Sequence, residues 1–275
     1  MREAAPILFL TFAMAAVLPA VTKRDTARRS FTVDASGRSL EVDNLFGDIR
    51  VTAQPGNTIE MTAQQDIEAG DNASLQNALR DVKLEISQNG NAVRICVDGP
   101  FRDRHRDHWD DHYRVLYNFE LRVPPETALK LKTVNDGVIA VTGVAGSFDI
   151  RNVNGRIDLK EIGGSGYATT VNGPVAASFR QIPNGPWKFK TVNGSLETSF
   201  PNGFGADVHA KTMNGDLYTD FEVTQPASKP AALESGGTRR RWRSDRGGNV
   251  RIGGGGPEFS YETLNGDIRI LKRGS

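Results

Sequence analysis

The residues best suited to bind a metal ion lie close together between positions 99 and 114. This segment contains three histidines and four aspartates: His105, His108, His112, Asp103, Asp107, Asp110 and Asp111. In a helix, His108 and His112 would share a face, and His105 would lie about one turn from His108. Imidazole and carboxylate groups at that spacing suit Zn²⁺ or another transition metal. The pattern supports the hypothesis of a weak metal site at His105, His108 and His112.

A second interpretation of this segment needs no metal. The segment also contains four arginines: Arg102, Arg104, Arg106 and Arg114. Four aspartates and four arginines can pair with one another and form a solvated loop. We favour this interpretation and predict a chain without a resident cofactor.

Two carboxylates, Asp216 and Asp267, follow the same Asn-Gly dipeptide, and Asp48 holds a similar place. Aligned carboxylates on a parallel β-helix could perform general acid–base chemistry, as in a carbohydrate-active enzyme. These acids recur only within a turn phrase, however, and solvation of the turn is the simpler explanation. We therefore predict no catalytic residues and no enzymatic activity.

The single cysteine, Cys96, lies within an apolar strand pattern that runs from Val93 to Val97. One thiol cannot form an internal disulfide, and the sequence places no base beside it. We predict an unreactive cysteine within a sheet.

An arginine cluster surrounds Trp242 and comprises Arg239, Arg240, Arg241, Arg243 and Arg246. Such a cluster could bind a polyanion, for example lipopolysaccharide phosphates or nucleic acid. The alternative, which we favour, is a charged hairpin beside the end of the repeats. The whole chain has 34 basic and 33 acidic residues and a formal net charge of +1, so no global field attracts nucleic acid, and we expect none as a partner.

The first 22 residues have the pattern of a signal peptide. Arg2 precedes an almost wholly apolar stretch at positions 7–17, which is too short to span a bilayer. Cleavage after Ala20 or Thr22 fits the pattern, and an uncleaved anchor is the alternative. No later stretch is long and apolar enough to cross a membrane. We predict an exported protein of the periplasm or cell surface, without a transmembrane segment in its mature chain.

A short phrase recurs in the second half of the chain: an apolar residue, Asn-Gly, a free position and another apolar residue. Its Asn-Gly pairs are Asn154-Gly155, Asn172-Gly173, Asn193-Gly194, Asn214-Gly215 and Asn265-Gly266, and a variant begins at Asn135. From Asn135 to Asn214 the successive spacings are 19, 18, 21 and 21 residues. A near-constant period of this length is typical of stacked supersecondary units rather than of isolated hairpins.

We expect each Asn-Gly pair to form a corner that stacks on the next corner. Asn tolerates the left-handed conformation, and Gly has no Cβ to disfavour it. Stacked Asn amides can hydrogen-bond along the stack. The apolar residues on both sides of a corner should point into a narrow core: Val153 with Ile157, Val192 with Leu196, and Met213 with Leu217. Second corners are expected at 143–146, 163–166, 184–185 and 202–203.

The rest of the sequence divides around these repeats. Asn44 to Ile49 resembles the repeated phrase and could form a first, irregular coil. Leu75, Ala78 and Leu79 share one face of a predicted helix that Asp71 or Asn72 can cap. The predicted segments are a signal peptide at 1–22, a mobile leader at 23–30, an N-terminal β-rich portion at 31–127 with the helix at 71–80 and a loop at 99–114, and solenoid repeats at 128–273 with an insertion at 223–256.

Three features together resemble the bacterial putative-adhesin family of β-strand-repeat envelope proteins. They are Leu121-Arg122-Val123-Pro124 followed by Leu131-Lys132-Thr133-Val134-Asn135, the Thr-Val-Asn-Gly phrases at 170–173 and 191–194, and the ending at 252–258 followed by 263–268. The similarity covers roughly residues 40–273. It implies an exported right-handed parallel β-solenoid with no established activity, and it supplies no catalytic residues. The Asp- and His-rich loop, and Asp136 in place of Gly, depart from the family pattern.

The sequence therefore predicts an all-β fold: a right-handed parallel β-solenoid with an irregular N-terminal β-rich portion and one short helix. The predicted function is a non-enzymatic scaffold or adhesin-like binding surface of the cell envelope, with a protein or a glycan as its partner. A carbohydrate-active enzyme of parallel β-helix type is the alternative, and a metal-binding envelope protein is a third hypothesis.

Overall fold

A computed structural model describes residues 20–102, 112–224 and 248–274, together with the backbone of two short strands at 233–236 and 239–242. The predicted signal peptide up to residue 19, His105, His108 and three stretches of the predicted insertion, 225–232, 237–238 and 243–247, lie outside the described residues.

The described residues form 23 β-strands, one α-helix and one turn of 3₁₀ helix. The helix α1 is Asn72–Asp81, and the 3₁₀ turn is Pro100–Arg102. The first strands are β1 Val21–Thr32, β2 Ser39–Asp43, β3 Ile49–Ala53, β4 Thr58–Ala69, β5 Lys83–Asn89, β6 Ala92–Asp98, β7 Tyr113–Val123, β8 Ala128–Lys132, β9 Ile139–Thr142, β10 Ser147–Arg151 and β11 Ile157–Ile162. The remaining strands are β12 Ser165–Thr169, β13 Val175–Phe179, β14 Trp187–Lys190, β15 Leu196–Phe200, β16 Ala206–Asn214, β17 Leu217–Thr219, β18 Val223–Thr224, β19 Leu233–Gly236, β20 Arg239–Trp242, β21 Gly248–Ile252, β22 Glu258–Asn265 and β23 Ile268–Lys272.

The strands form two large mixed sheets, named here sheet A and sheet B. Sheet A has 12 strands in the order β1-β4-β7-β3-β9-β11-β13-β15-β23-β17-β20-β19, and sheet B has 11 in the order β18-β21-β16-β22-β14-β12-β10-β8-β2-β6-β5. The run from β7 to β17 in sheet A and the run from β16 to β6 in sheet B are parallel. The predicted all-β class with one short helix is confirmed. The sheets are not parallel throughout, because antiparallel strands extend both ends of each sheet.

From β6 to β19, successive strands alternate between the two sheets. We call one strand of sheet B and the following strand of sheet A a rung; the rungs are β2–β3, β6–β7, β8–β9, β10–β11, β12–β13, β14–β15, β16–β17 and β22–β23. Within the strands every second side chain points into the space between the sheets, as strand geometry requires. The pattern in β14 is an example: Trp187 and Phe189 are buried, while Lys188 and Lys190 are only partly covered.

The order of the rungs in space differs from their order in the chain at both ends. The rung β22–β23, which comes last in the sequence, lies between β14–β15 and β16–β17. The rung β2–β3, which comes first, lies between β6–β7 and β8–β9. The first and last rungs of the sequence are thus both internal to the stack, and both find backbone partners on two sides.

Antiparallel strands extend sheet A at its N-terminal end. β1 pairs with β4 along its whole length, from Val21 opposite Ala69 to Thr32 opposite Thr58, and β4 pairs with β7. The prediction of a mobile leader at 23–30 is therefore wrong, because these residues belong to β1. The polar, basic composition that suggested a leader also suits an exposed edge strand, where charged side chains oppose pairing with another chain.

The helix α1 begins as the sequence predicts. Asp71 is its N-cap, and the Asp71 carboxylate accepts a hydrogen bond of 2.7 Å from the backbone N–H of Ser74. This bond lowers the pKa of Asp71 below its usual value. Leu75 and Ala78 are buried, and the helix packs against β4 and β7.

Large aromatic side chains fill the core near the centre of the stack. The ring centroids of Phe179 and Phe200 lie 4.6 Å apart, and those of Trp187 and Phe189 lie 5.4 Å apart. The first pair joins neighbouring rungs, and the second joins two inward side chains of β14. Such pairs contribute about 0.5–1.5 kcal/mol beyond the burial of their surface, so side chains as well as backbone hold the rungs together.

The two apolar residues that flank an Asn-Gly corner do not share the core. Ile157, Leu196 and Leu217, which follow their corners, are buried, but Met213 is 71% exposed. The prediction that Met213 points inward is wrong. Val153 and Val192 are likewise only half-buried.

In most corners, the residue immediately before the first apolar residue of the phrase is buried instead. It is a threonine in most rungs, including Thr170 and Thr191, which are 3% and 1% exposed. The alternation that buries Phe189 in β14 continues past the end of the strand, so Thr191 points inward and Val192 outward.

Candidate functional site

The aligned corners carry a ladder of asparagine side chains. Asn154 donates from Nδ2 to Oδ1 of Asn135 at 2.7 Å. Four more bonds of the same kind, each 2.7 or 2.8 Å long, continue through Asn172, Asn193, Asn265 and Asn214. Parallel backbone bridges also join Asn154, Asn172, Asn193 and Asn265 in that order. The corners therefore stack on one another along one edge, here called the Asn-Gly edge.

A second, buried ladder lies beneath the asparagines. The hydroxyl of Thr170 donates to the carbonyl oxygen of Gly155 at 2.9 Å, and that of Thr191 donates to Gly173 at 2.9 Å. Other corners repeat the contact through Thr133, Thr212 and Thr263, and one uses the amide of Asn152. The polar groups of the Asn-Gly edge thus bind one another, which gives this edge a structural role.

The carboxylates considered for acid–base chemistry take part in the same turns. Asp267 accepts the backbone N–H of Asp216 at 3.1 Å with one oxygen and Arg269 at 3.0 Å with the other. Asp48 accepts the backbone N–H of Val138 at 2.8 Å. These contacts hydrogen-bond the backbone N–H groups of the corners and neutralise Asp267, and none prepares a carboxylate to transfer a proton.

The other candidates from the sequence lie elsewhere. His112 is exposed at the start of β7, while His105 and His108 fall outside the described residues. Among the residues that are described, no group of three or more His, Cys, Asp or Glu could hold a metal ion. Cys96 is buried on the outward side of sheet B, and burial raises the pKa of its thiol. The backbone at Arg239–Trp242 forms β20, which pairs antiparallel with β17 and β19.

Charged side chains cover most of the outward face of sheet B and pair across its strands. The carboxylate of Glu41 lies 3.2 Å from Lys130 and 3.7 Å from Arg94. The hydrogen bond with Asp149 raises the pKa of Arg151. Further pairs are Arg102–Asp43 at 2.9 Å, Lys190–Glu262 at 3.0 Å and Arg251–Asp207 at 2.7 Å. Exposed pairs of this kind contribute only about 0–1 kcal/mol each, so their main effect is to neutralise this face.

One patch on the same face lacks such pairs. It surrounds Tyr167 in β12, whose side chain is 56% exposed, and the adjacent strands place Lys188 and then Ser260 beside it. Within the part of the chain that the structure describes, no hydrogen bond or ion pair engages the side chains of Ser165, Tyr167, Lys188 or Ser260. These four residues line a shallow concavity of about 320 Å³ together with Glu258, whose carboxylate lies 3.7 Å from Nε2 of His209. We call Ser165, Tyr167, Lys188 and Ser260 the Tyr167 patch.

Buried aromatic side chains pack directly beneath the Tyr167 patch. Trp187 is buried beneath it, and the indole N–H of Trp187 donates to the carbonyl of Gly164 at 3.0 Å. The rings of Phe148 and Phe179 lie 5.2 and 5.4 Å from that of Trp187. Parallel backbone pairing fixes Tyr167 opposite Lys188. The backbone that carries the patch is therefore fixed before any ligand arrives.

The chemistry of the patch suits a ligand with an apolar face and a rim of hydroxyl groups. An exposed aromatic ring offers apolar area, and the surrounding hydroxyl and ammonium groups can bind polar atoms at its margin. Sequence reasoning overlooked Tyr167. The available signal was strand alternation, because Ala168 points inward and its neighbour Tyr167 must then point outward.

No family model and no curated protein matches the chain. Among solved structures, it is similar to one described as a putative cell adhesion protein from Clostridium sporogenes, with 10% identity, a TM-score of 0.40, and coverage of 90% of this chain and 100% of that one. A putative adhesin from Bacteroides fragilis has 8% identity, a TM-score of 0.28, and coverage of 90% and 97%. A putative lipid binding protein from Parabacteroides distasonis has 10% identity, a TM-score of 0.25, and coverage of 90% and 96%.

The first two names agree with the family that the sequence motifs resemble. In the described residues, the sole α-helix is ten residues long, and no helix is long and apolar enough to cross a membrane.

Proposed function

We propose that this protein is a non-enzymatic binding protein of the cell envelope and that its Tyr167 patch holds a glycan. The observation that carries the proposal is an exposed tyrosine ring beside three polar side chains, those of Ser165, Lys188 and Ser260, that no described residue engages, on a face where many charged side chains are paired. Sugar rings present a C–H face with hydroxyls at the margin, which matches an aromatic surface with donors and acceptors around it.

The proposed architecture is a right-handed parallel β-solenoid with antiparallel strands at its ends. The two parallel runs of strands and the bridged asparagine corners support it. The proposed location is the periplasm or cell surface, supported by the signal-peptide pattern at 1–22. A firm flat face of this kind serves an adhesin-like surface or scaffold because it presents fixed side chains over a wide area.

A glycan array followed by calorimetry on the glycans that bind tests the proposed function. We expect Tyr167→Ala to weaken binding about tenfold or more, as the loss of an aromatic anchor does at other interfaces. Lys188→Ala should weaken it less. Lys130→Ala is the matched control, because Lys130 lies on the same face but pairs with Glu41. Capture of a protein but of no glycan, or glycan binding that Tyr167→Ala leaves unchanged, would overturn the assignment.

A polysaccharide panel tests the non-enzymatic part of the proposal. The contacts of Asp267 with Asp216 and Arg269 favour a turn role for these carboxylates. We expect no turnover by the purified protein. Measurable hydrolysis or elimination that is lost in Asp216→Asn or Asp267→Asn would instead support the carbohydrate-active enzyme.

A further inference from the structure

A groove lies along the edge opposite the Asn-Gly corners, here called the turn edge. Four successive turns form its walls: 124–127, 143–146, 162–165 and 180–186. The groove has a volume of about 350 Å³, and its lining includes Glu126, Glu161, Arg180, Ile182 and Asn184. Gly163 and Gly164 contribute backbone without side chains. We call this feature the Arg180 groove.

The backbone is irregular where Glu161 enters the groove. The pairing of β11 with β13 shifts register between Leu159 and Ile162, and Glu161 has a left-handed φ of 52°. A residue with a Cβ rarely adopts this conformation, and β-bulges of this kind re-aim a side chain beside functional sites. The backbone N–H of Glu161 donates to the hydroxyl of Ser178 at 3.0 Å, which helps to hold the bulge.

The bulge places the Glu161 carboxylate between two arginines, but it engages them unequally. Its Oε1 lies 2.8 Å from Nη2 of Arg273, whereas its Oε2 lies 3.4 Å from Nη2 of Arg180. The Arg180 side chain is 57% exposed, and the long contact with Glu161 is its single side-chain interaction within the described residues. An incoming anion could therefore bind Arg180 while Glu161 stays paired with Arg273.

The groups around Arg180 indicate what the anion is attached to. The planar guanidinium fork matches a carboxylate through two parallel hydrogen bonds. Ile182 beside it is 47% exposed, so the groove also offers apolar surface to the body of the ligand. At the Arg180 end, Arg273 pairs with the Glu161 carboxylate and offsets its charge, whereas Glu126 on the turn at the other end repels an anion. Charge therefore favours the acidic group at the Arg180 end.

The Arg180 groove continues into the Tyr167 patch. Gly164 lines the groove and Ser165 belongs to the patch, and on the next turn Asn184 lines the groove and Pro186 lines the concavity of the patch. Two residues separate Gly164 from Tyr167, a path of at most about 11 Å along the chain. A short oligosaccharide can bridge this distance.

We propose that the Tyr167 patch and the Arg180 groove form one track for an acidic oligosaccharide. One sugar ring lies on Tyr167, and the carboxylate of a uronic acid further along binds Arg180. This inference rests on the proposed glycan-binding function and adds the class of glycan. The formal net charge of +1 gives little general attraction for polyanions, so local groups decide the preference.

Calorimetry with matched ligands tests the track. Oligomers of galacturonate, mannuronate–guluronate and hyaluronate are compared with their carboxyl-reduced forms, which keep the sugar chain but lose the charge. We expect the acidic form of at least one oligomer to bind about tenfold more tightly than its reduced form. Arg180→Gln should abolish that preference. Arg180→Lys, which keeps the charge but loses the fork, should restore only part of it.

Arg156→Gln is the control for net charge, because Arg156 is an exposed arginine on the Asn-Gly edge that pairs with Asp158. It should leave the preference unchanged, while Tyr167→Ala should weaken both forms of the oligomer. Equal binding of acidic and reduced oligomers, or equal losses in Arg180→Gln and Arg156→Gln, would overturn the acidic track and leave neutral glycan binding at Tyr167 intact. If none of these oligomers binds in either form, the acidic track fails, and the glycan array decides the proposed function separately.

Discussion

The two edges of the stack turn the chain between the same two sheets, yet they differ in regularity. At the Asn-Gly edge the corners repeat one phrase, and each corner gives its amide, hydroxyl and backbone groups to the next. At the turn edge the connections vary in length and composition, and β11 bulges at Glu161. The first edge uses its polar groups internally, whereas the second leaves groups such as the Arg180 guanidinium exposed.

The Asn-Gly edge stabilises the fold, whereas we expect the turn edge to bind the ligand. A stack gains stability when identical groups meet at a constant spacing, because every new rung completes the hydrogen bonds of the rung before it. Such an edge leaves few polar groups without a partner that a ligand could bind. We expect binding groups where the repeat is broken, as at the Arg180 groove beside the bulge of β11. Four substitutions test the comparison.

The largest effect is expected from Gly194→Ala at the Asn-Gly edge. A Cβ at this position would lie 2.1 Å from the carbonyl oxygen of Gly173 on the neighbouring corner. That oxygen belongs to backbone, and the N–H of Gly194 is itself fixed to Asn265 at 2.9 Å, so neither side can shift freely. We expect a loss of about 3 kcal/mol in the free energy of unfolding, or failure to fold. Chemical denaturation measures the loss.

Gly254→Ala is the matched control, since a Cβ there would meet nothing within 4 Å. It should change the unfolding free energy by less than about 0.5 kcal/mol. Equal losses for the two substitutions would mean that close approach of the corners does not distinguish the Asn-Gly edge.

The next effect is expected from Thr191→Val, which keeps the shape of a buried side chain but removes its hydroxyl. Thr191 is 1% exposed, and its hydroxyl donates to the carbonyl of Gly173 at 2.9 Å. The substitution leaves that carbonyl without its donor, which should cost about 1–3 kcal/mol. Thr142→Val, on an outward position of β9, should be close to neutral. If both valine variants unfold at the same denaturant concentration, the buried hydroxyl ladder does not stabilise the corners.

The regular edge could be predicted from sequence to a large extent, because its phrases have one length and one composition. The stacking of Asn193 and its partners follows from period and residue type, and so does the Asp71 cap of α1. The outward position of Val192 was misjudged, although alternation from Phe189 through Thr191 already contained the answer. The apolar type of Val192 suggested a core position, but the strand register places its side chain outward.

Other features have no local signal in the sequence. The phrase around Asn265 looks like every other phrase, so nothing in it states that its rung enters between those of Asn193 and Asn214. That placement depends on which strands are left unpaired once the rest of the stack exists. The Tyr167 patch and the Arg180 groove join side chains from different rungs, and the bulge at Glu161 depends on tertiary pairing.

A smaller loss is expected from Asn193→Ala in the exposed amide ladder. Asn193 donates to Asn172 and accepts from Asn265, so the substitution removes two side-chain hydrogen bonds. Water can replace much of each bond at this exposed position, so we expect about 0.5–1 kcal/mol. Asn214→Ala removes one bond from the end of the ladder and should cost about half as much. Thermal unfolding of both variants measures the ratio, and equal losses would show that the amides do not act as a ladder.

The smallest effect concerns the strained residue at the turn edge and is a difference between two variants. Glu161→Gly and Glu161→Ala both remove the contacts with Arg180 and Arg273. They differ in the Cβ, which a φ of 52° disfavours. We expect the free energy of unfolding of the glycine variant to exceed that of the alanine variant by about 1 kcal/mol. Glu197 lies on an outward position of β15 and has no left-handed φ, so there the alanine variant should be the more stable by about 0.5–1 kcal/mol.

A reversal between the two sites would show that the turn edge keeps a glutamate in a backbone conformation that glycine adopts more easily. Glycine would give the more stable backbone at this position, but only a side chain such as that of Glu161 can pair with Arg273 beside an accessible Arg180. The same preference at both sites would mean that the bulge carries no strain. The irregular edge would then differ from the regular one in shape alone, and no stored strain would mark it as a binding site.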